Sequence, residues 1–427
     1  MRLINEITVI IKKKSFPSFI DELYKRDCDL LELQHIEESG DGYLYTLRIA
    51  SNNLKRFEEF ITIIGNAGEK YKIISAKNVI EERVVGGLIA VTGRMPVENI
   101  TDLNTSVLGA ADLIHEKIKN EDGIRYTGIA RNVCLLAGIK AAEEGERVHL
   151  LHEYASAERD AVILNRFSGL NGYPLTVRFD HPEDIITVLK KIERNFSAIR
   201  IMQIDDASIM LYDLIFSDLT IPVVSLEHDD VPLVLLTFII KIMMKYRLRA
   251  EETTVGFIGI DLGAVRLTRV LDKIGFRRIL GYDHGEKAML ALENQGGLAT
   301  TDQNIFGNAD ITILLKNNFD HEEYRKIRPG QFVISFMEDE NPDIEVLSGK
   351  GVREFIRRDV THLSAMFPGM LRGVIDATIG SINDARLVEY AKKLGGFLSD
   401  TFEFPHIFGD IHEKIGKVIA AGADKAP

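Results

Sequence analysis

Residues 254–265 read Thr-Val-Gly-Phe-Ile-Gly-Ile-Asp-Leu-Gly-Ala-Val. The β-branched run Thr254–Ile258 reads as a strand, Gly259–Gly263 as a turn, and the residues onward to Ile274 as a helix. A strand that enters a glycine turn and leaves as a helix is where G-x-G-x-x-G belongs. Here the turn is Gly259-Ile260-Asp261-Leu262-Gly263-Ala264. Gly259 is in place, but Asp261 stands where a second glycine lets the backbone approach a pyrophosphate. Its carboxylate would repel phosphate at a helix N-terminus that otherwise favours anions. Asp283 ends the next strand, 24 residues after Gly259, where an acid holds a ribose hydroxyl. One reading is NAD binding through Gly259, Gly263 and Asp283. The other is a fold of this type that no longer binds a dinucleotide well.

Outward from the turn, the buried helix Leu233–Tyr246 precedes it. Strands at Arg278–Tyr282, Ile311–Leu315 and Phe332–Phe336 follow, the layout of a doubly wound domain over 233–395. Upstream, from about 125 to 232, helices alternate with short strands at Val148–Leu151, Pro174–Val177, Ile199–Ile204 and Ile221–Val224, a βαβ-type pattern. Residues 81–120 form a bridge, with an apolar run at Val84–Val91 and a helical pattern at Thr101–Lys119. Residues 1–80 read βαββαβ, a ferredoxin-like pattern: strand Ile7–Ile11, a helix around Phe19 and Leu23, strands Leu30–His35 and Tyr43–Ile49 around the turn Glu38–Gly42, helix Leu54–Ile64 and strand Tyr71–Val79. The last part, 396–427, reads as a helix plus a polar tail.

Length and composition bound the function. The 427 residues make two to four domains at roughly 100–200 residues each. With 52 Lys+Arg against 64 Asp+Glu the net charge is −12, which repels a polyanion, so no nucleic-acid partner is expected. Cys28 and Cys134 are read as free buried thiols, Cys134 within an apolar helix. The most hydrophobic run, Val231–Ile240, is short of the ~20 residues a bilayer span needs. The N-terminus lacks a signal-peptide pattern. A cytoplasmic protein without a membrane partner is expected.

The segment Phe367-Pro368-Gly369-Met370-Leu371-Arg372-Gly373-Val374-Ile375-Asp376, followed by Ile382-Asn383-Asp384, resembles the malic enzyme signature FPGIFRGALD and IND. Tyr126-Thr-Gly-Ile-Ala is similar to that family's YTPGVA, and Asn165–Pro174 (NRFSGLNGYP) to KxFAGVDAFP. The resemblance covers about residues 100–395. It implies an α/β fold, with a malic-enzyme N-terminal-type domain at 81–232 and a Rossmann-type NAD(P)-binding domain at 233–395. The ferredoxin-like unit 1–80 resembles an ACT domain. That implies a regulatory module for a small effector, such as an amino acid, and a homodimer.

Malic enzymes oxidise and decarboxylate malate with NAD(P) and Mn²⁺ or Mg²⁺, using a tyrosine acid, a lysine base and three carboxylate ligands. The resemblance places the tyrosine at Tyr126. The lysine falls on Asp160 in Glu158-Arg159-Asp160-Ala161, where a carboxylate reverses the charge. The glycine-rich DGTxVLGLG loop before it is missing. For the metal, an ungapped alignment from Phe196 gives Met202, Gln203 and Glu227; a gapped one gives Asp205, Asp206 and Asp230. Arg372 is a candidate for a substrate carboxylate. The first expectation is therefore a malic-enzyme-like protein that has lost catalysis and serves as ligand sensor or assembly partner. The alternative is an active NAD-dependent 2-hydroxy-acid oxidoreductase with a rebuilt metal site and another base, such as Lys190 or Lys191.

Overall fold

The computed structural model describes residues 3–40, 42–51, 54–79, 87–90, 97–118, 126–140, 146–316, 327–337, 349–357 and 360–422. Half of the run Val84–Val91 lies outside these residues, as does Asp41 of the first turn. Contacts divide the chain into two units, Met1–Ala90 and Val91–Pro427.

The first unit comprises β1 (Leu3–Lys12), α1 (Phe16–Tyr24), β2 (Cys28–Ser39), β3 (Gly42–Ser51), α2 (Leu54–Asn66) and β4 (Tyr71–Asn78). Its sheet has the order β2-β3-β1-β4 with antiparallel pairs throughout. The order βαββαβ and this strand order are ferredoxin-like. Alternate residues Ile7, Val9 and Ile11 of β1 face Phe19 of α1 and Phe57, Phe60 and Ile64 of α2, all buried. Strand period and helix period thus meet in one core.

The second unit begins with helix α3 (residues 100–118), which contains a wide turn at Leu103–Leu108. Next come β5 (Asn132–Lys140), α4 (Glu146–Ser168), β6 (Asn171–Phe179), α5 (Asp184–Ile192), β7 (Ala198–Ile204), α6 (Ile209–Asp218) and β8 (Val223–Ser225). These strands form a parallel sheet of order β6-β5-β7-β8. A wide turn, Leu226–Asp230, leads into α7 (Val231–Tyr246). Then follow β9 (Thr254–Ile258), α8 (Leu262–Lys273), β10 (Arg278–Tyr282), α9 (Glu286–Glu293), β11 (Leu298–Ala299), α10 (Asp302–Asn308), β12 (Ile311–Leu314), β13 (Phe332–Ser335) and β14 (Glu354–Arg357). The second sheet is parallel, of order β11-β10-β9-β12-β13-β14. That is the doubly wound 3-2-1-4-5-6 order, whose switch point lies between β9 and β12. Helices α11 (Val360–Asp376), α12 (Asp384–Leu394) and α13 (Ile411–Ala420) complete the unit.

Two expected elements are corrected. Val148–Leu151 is not a strand but part of α4, where Val148 and Leu151 are exposed. Cys134 lies in strand β5, not in a helix. Its run Val133–Ala137 is wholly buried because a central parallel strand is covered on both faces. A short continuous apolar run has no period that separates the two states.

The signature Phe367–Asp376 is a helix-packing device. It lies in α11, and α13 packs across it. A Cβ on Gly369 would lie 2.4 Å from the carbonyl oxygen of His412, and one on Gly373 2.7 Å from that of Gly416. Gly369→Ala should therefore lower stability by about 1–3 kcal/mol through overpacking. Gly380→Ala, where a Cβ meets nothing within 4 Å, is the control. Thermal midpoints of both variants check this; equal midpoints would contradict it.

Candidate functional site

The C-terminal ends of the two parallel sheets build the candidate site. In open α/β sheets ligands bind outside these ends, at the switch points. Two turns meet there: Gly259–Asp261 after β9, and Leu226–Asp230 after β8. The second packs against the first turn of α8, since a Cβ on Gly263 would lie 3.1 Å from the Glu227 carbonyl oxygen.

The glycine turn is held by charge. Gly259 has φ +79°, and a Cβ there would lie 2.6 Å from the backbone nitrogen of Lys316, so only glycine fits. The Asp261 side chain caps α8, accepting from the Ala264 N–H at 2.8 Å. Burial raises its pKa; the Ala264 N–H and Lys316 oppose. Asp283 accepts from the Ile260 N–H at 2.8 Å and the Gly285 N–H at 2.9 Å. Lys316 crosses from β12 and donates to the Ile260 carbonyl at 2.8 Å, with Asp283 3.3 Å away. Burial works against the charge of Asp283, but these donors outweigh it and lower its pKa.

A pyrophosphate does not fit this turn as built. The helix N-terminus that would receive it is already capped by a carboxylate, and the acid expected to hold a ribose is engaged with backbone and Lys316. Gly259, Gly263 and Asp283 thus occupy the expected places in the fold, but as parts of the turn's own scaffold.

The first sheet contributes a group of acids. Asp205, just after β7, accepts from the Lys140 N–H at 2.9 Å and the Gln203 amide at 3.0 Å, with His149 3.7 Å away. Asp206, at φ +54°, turns outward to Lys140 Nζ at 2.5 Å. Burial pushes the Glu227 carboxyl up to about 7; Asp261 adds to this, Lys316 opposes, and Glu153 and Asp205 push further. Burial also raises Glu153. Glu227, Asp261, Glu153, Asp205 and Lys316 therefore share one electrostatic neighbourhood, although Glu153 and Lys316 carried no signal in the sequence.

Asp230 does not join that group. It is fully buried and paired with Arg200 of β7. The same guanidinium lies 3.6 Å from Asp160 of α4 and 4.3 Å above the Phe367 ring of α11. Asp160 also accepts from Arg159 at 3.0 Å, and burial pushes the Asp230 carboxyl up to about 7 against the pull of Arg200. Among the described residues no set of three His, Cys, Asp or Glu side chains is placed to hold a metal ion. The gapped trio Asp205, Asp206 and Asp230 is not brought together: Asp205 accepts from the Lys140 N–H and the Gln203 amide, Asp206 pairs with Lys140 Nζ, and Asp230 pairs with Arg200. Met202 is buried and apolar, and Gln203 is spent on Asp205. Among the described residues, those at the expected metal positions do not fit a divalent cation.

Two further candidates lie elsewhere. Tyr126 enters β5 at its N-terminal end, with Lys117 Nζ 5.9 Å from its ring centroid. The 3₁₀ turn Gly128–Arg131 separates it from β5, whose last residue, Lys140, meets Asp205. Arg372 pairs with Asp376 at 2.8 Å, one turn along the half-exposed face of α11.

Sequence reasoning missed Arg200 and Arg266, both about 99% buried or more. The signal was present: an arginine inside the apolar run Ala198–Met202 must find a carboxylate.

Comparison with known proteins concerns the fold. The chain matches no family profile. It is 24% identical over 413 residues to NAD-dependent malic enzyme 1 of Bacillus subtilis (strain 168), covering 92% of this chain and 91% of that protein. It is 21% identical over 451 residues to the NAD-dependent malic enzyme of Geobacillus stearothermophilus, covering 96% and 91%. A crystal structure of malic enzyme from Pyrococcus horikoshii superposes with a TM-score of 0.68 at 17% identity, over 81% of this chain and 91% of that one. The NAD-dependent malic enzyme of Thermotoga maritima gives 0.67 at 16%, over 80% and 99%. The chain is malic-enzyme-like, and its α/β fold is that of malic enzyme structures. No helix among the described residues is long and apolar enough to cross a membrane.

The raised Glu227 gives a pH prediction. Between about 4.5 and about 7 the folded protein holds a proton that the unfolded chain has released. Stability therefore falls as pH rises through that window. Glu227→Gln removes this contribution, so its thermal midpoint should gain on the wild type from pH 4.5 to pH 7. A difference that stays constant with pH would contradict the assignment.

Proposed function

We propose that this chain is a malic-enzyme-type scaffold without malate oxidation, working in the cytoplasm as a small-molecule sensor or assembly partner. One observation carries the reading: Asp160, at the place the family resemblance gives to the lysine base, accepts from Arg159 at 3.0 Å and lies 3.6 Å from Arg200, which also pairs with Asp230. A carboxylate held by a buried guanidinium neither abstracts a hydroxyl proton nor yields to a cation. The Asp261 cap and the Lys316–Asp283 pair support the same reading on the nucleotide side. Residues 1–80 act as the effector module, for an amino acid or a similar small ligand, and two copies pair as a homodimer. The βαββαβ order of that unit supports this role.

A second reading stays open because of Glu227. A half-buried carboxyl with a pKa of about 7 beside Lys316 has the character of a general base. Both curated relatives are named NAD-dependent malic enzymes. On this reading the chain is an active malate oxidoreductase that uses NAD and Mn²⁺ or Mg²⁺, and Glu227 replaces the lysine.

Absorbance at the NADH band, with malate, NAD⁺ and Mn²⁺, separates the two. We expect no malate-dependent rise. Turnover that Glu227→Gln abolishes would overturn the sensor reading and establish the second.

A further inference from the structure

Two helices of the unit Val91–Pro427 carry exposed apolar faces. Along α3, Ile100, Leu103, Val107, Leu108, Leu113 and Ile118 are between 38% and 69% exposed. Ile100, Leu103 and Val107 recur at i, i+3 and i+7, on one side of the helix. None of the described side chains of α3 is buried: Asp102, Ala110 and Ile114 are half-buried and the others exposed. A helix of this length draws most of its stability from packing an apolar face against a neighbour. α3 has such a face, and no described residue of the chain buries it.

The second face is on α4. Val148, Leu151 and Val162 are exposed, as is Ala155 between them. They stand at i, i+3, i+7 and i+14, a stripe of heptad spacing. The opposite side of the same helix buries Ala157, Ala161 and Leu164. The charges around the two faces differ in sign. Residues 98–118 hold four acids, Glu98, Asp102, Asp112 and Glu116, against one lysine, Lys117. Asp102 binds the Glu98 N–H and the Asn99 amide at the start of α3, while Glu98 and Asp112 are exposed. On α4, Arg147, Arg159 and Arg166 are exposed, whereas Glu153 and Glu158 are half-buried and Asp160 is buried. Arg159 also pairs with Asp160. The outward charge of α4 is thus basic where that of α3 is acidic.

We propose that α3 of one protomer packs on the α4 stripe of a second copy of this chain, and the reverse, about a twofold axis. Both halves of the contact are present on one chain, so the pair closes through two identical contacts and covers all four faces. A partner of another kind that fitted α3 would leave the α4 stripe open to water. The opposite charges beside the stripes favour this pairing over α3 on α3 or α4 on α4. The inference rests on the homodimer proposed above and adds its contact surface, which lies outside residues 1–80.

Sedimentation velocity on the full chain, over a concentration series, tests it. The wild type is expected to dimerise. Leu103→Lys in α3 and Leu151→Glu in α4 each put a charge into the contact beside like charges of the facing helix. Each should raise the dimer dissociation constant at least about tenfold. Both positions are exposed, and circular dichroism checks that the variants fold. Mixed in equal amounts, the two variants form a heterodimer with one contact free of both substitutions. The mixture should therefore be more dimeric than either variant alone. A wild type that stays monomeric would overturn this inference together with the homodimer. A dimer unchanged in both variants would overturn it and leave the homodimer, paired through another surface. A mixture no more dimeric than its components would overturn the pairing of α3 with α4. Malate-dependent NADH formation is read separately, so the loss of malate oxidation stands or falls by itself.

Discussion

Two buried guanidiniums fix the turn on which this molecule depends. Arg200 holds Asp230 at the end of the turn, and Arg266 holds Asp229 and the His228 carbonyl in its middle. Between them the five residues Leu226–Asp230 send side chains three ways. Glu227 goes to the crevice, His228 and Asp229 to α8, and Asp230 into the core against Arg200. The turn is also the covalent link from the first sheet to α7 and so to the second sheet. Removing one member of a buried pair typically costs ~3–5 kcal/mol, because the partner is left charged in a dry place. The arrangement is therefore a constraint on every neighbour.

That constraint explains the chemistry the crevice has left. Arg200 stands between Asp160 and Asp230, and Arg159 pairs with Asp160 as well. On the nucleotide side Asp261 serves as the anion for its own helix, and Lys316 and Asp283 neutralise each other across the switch point. The fold keeps a ligand-binding crevice at the place where open α/β sheets have one. Its own side chains satisfy most of the positions that a cofactor would use. Burial pushes two carboxyls of the turn, Glu227 and Asp230, up to about 7, Glu227 with the help of acidic neighbours and Asp230 against the pull of Arg200.

Much of the scaffold was legible in the sequence. The glycine turn at 259–263, the buried helix before it and the strand spacing after it marked the doubly wound sheet. Alternation in β1 and the helical stripes of α1 and α2 marked the first unit. Val148–Leu151 and the Cys134 run were misread because four to seven apolar residues carry no decisive period. The most specific motif, Phe367–Asp376, proved to concern packing: its glycines let α13 approach α11, and Phe367 floors Arg200. The candidate site was less legible. Motif matching located positions such as Tyr126 and Asp160 but not their partners, which are set by strand direction and by contacts from distant elements. Arg200, Arg266 and Lys316 act through tertiary pairing that no local pattern records.

The central claim is that the chain's own charges fill the dinucleotide place. Calorimetric titration of the full chain with NAD⁺, beside Asp261→Gly, tests it most directly. The account predicts no saturable NAD⁺ binding by the wild type. Saturable binding by the wild type that Asp261→Gly leaves unchanged would contradict it.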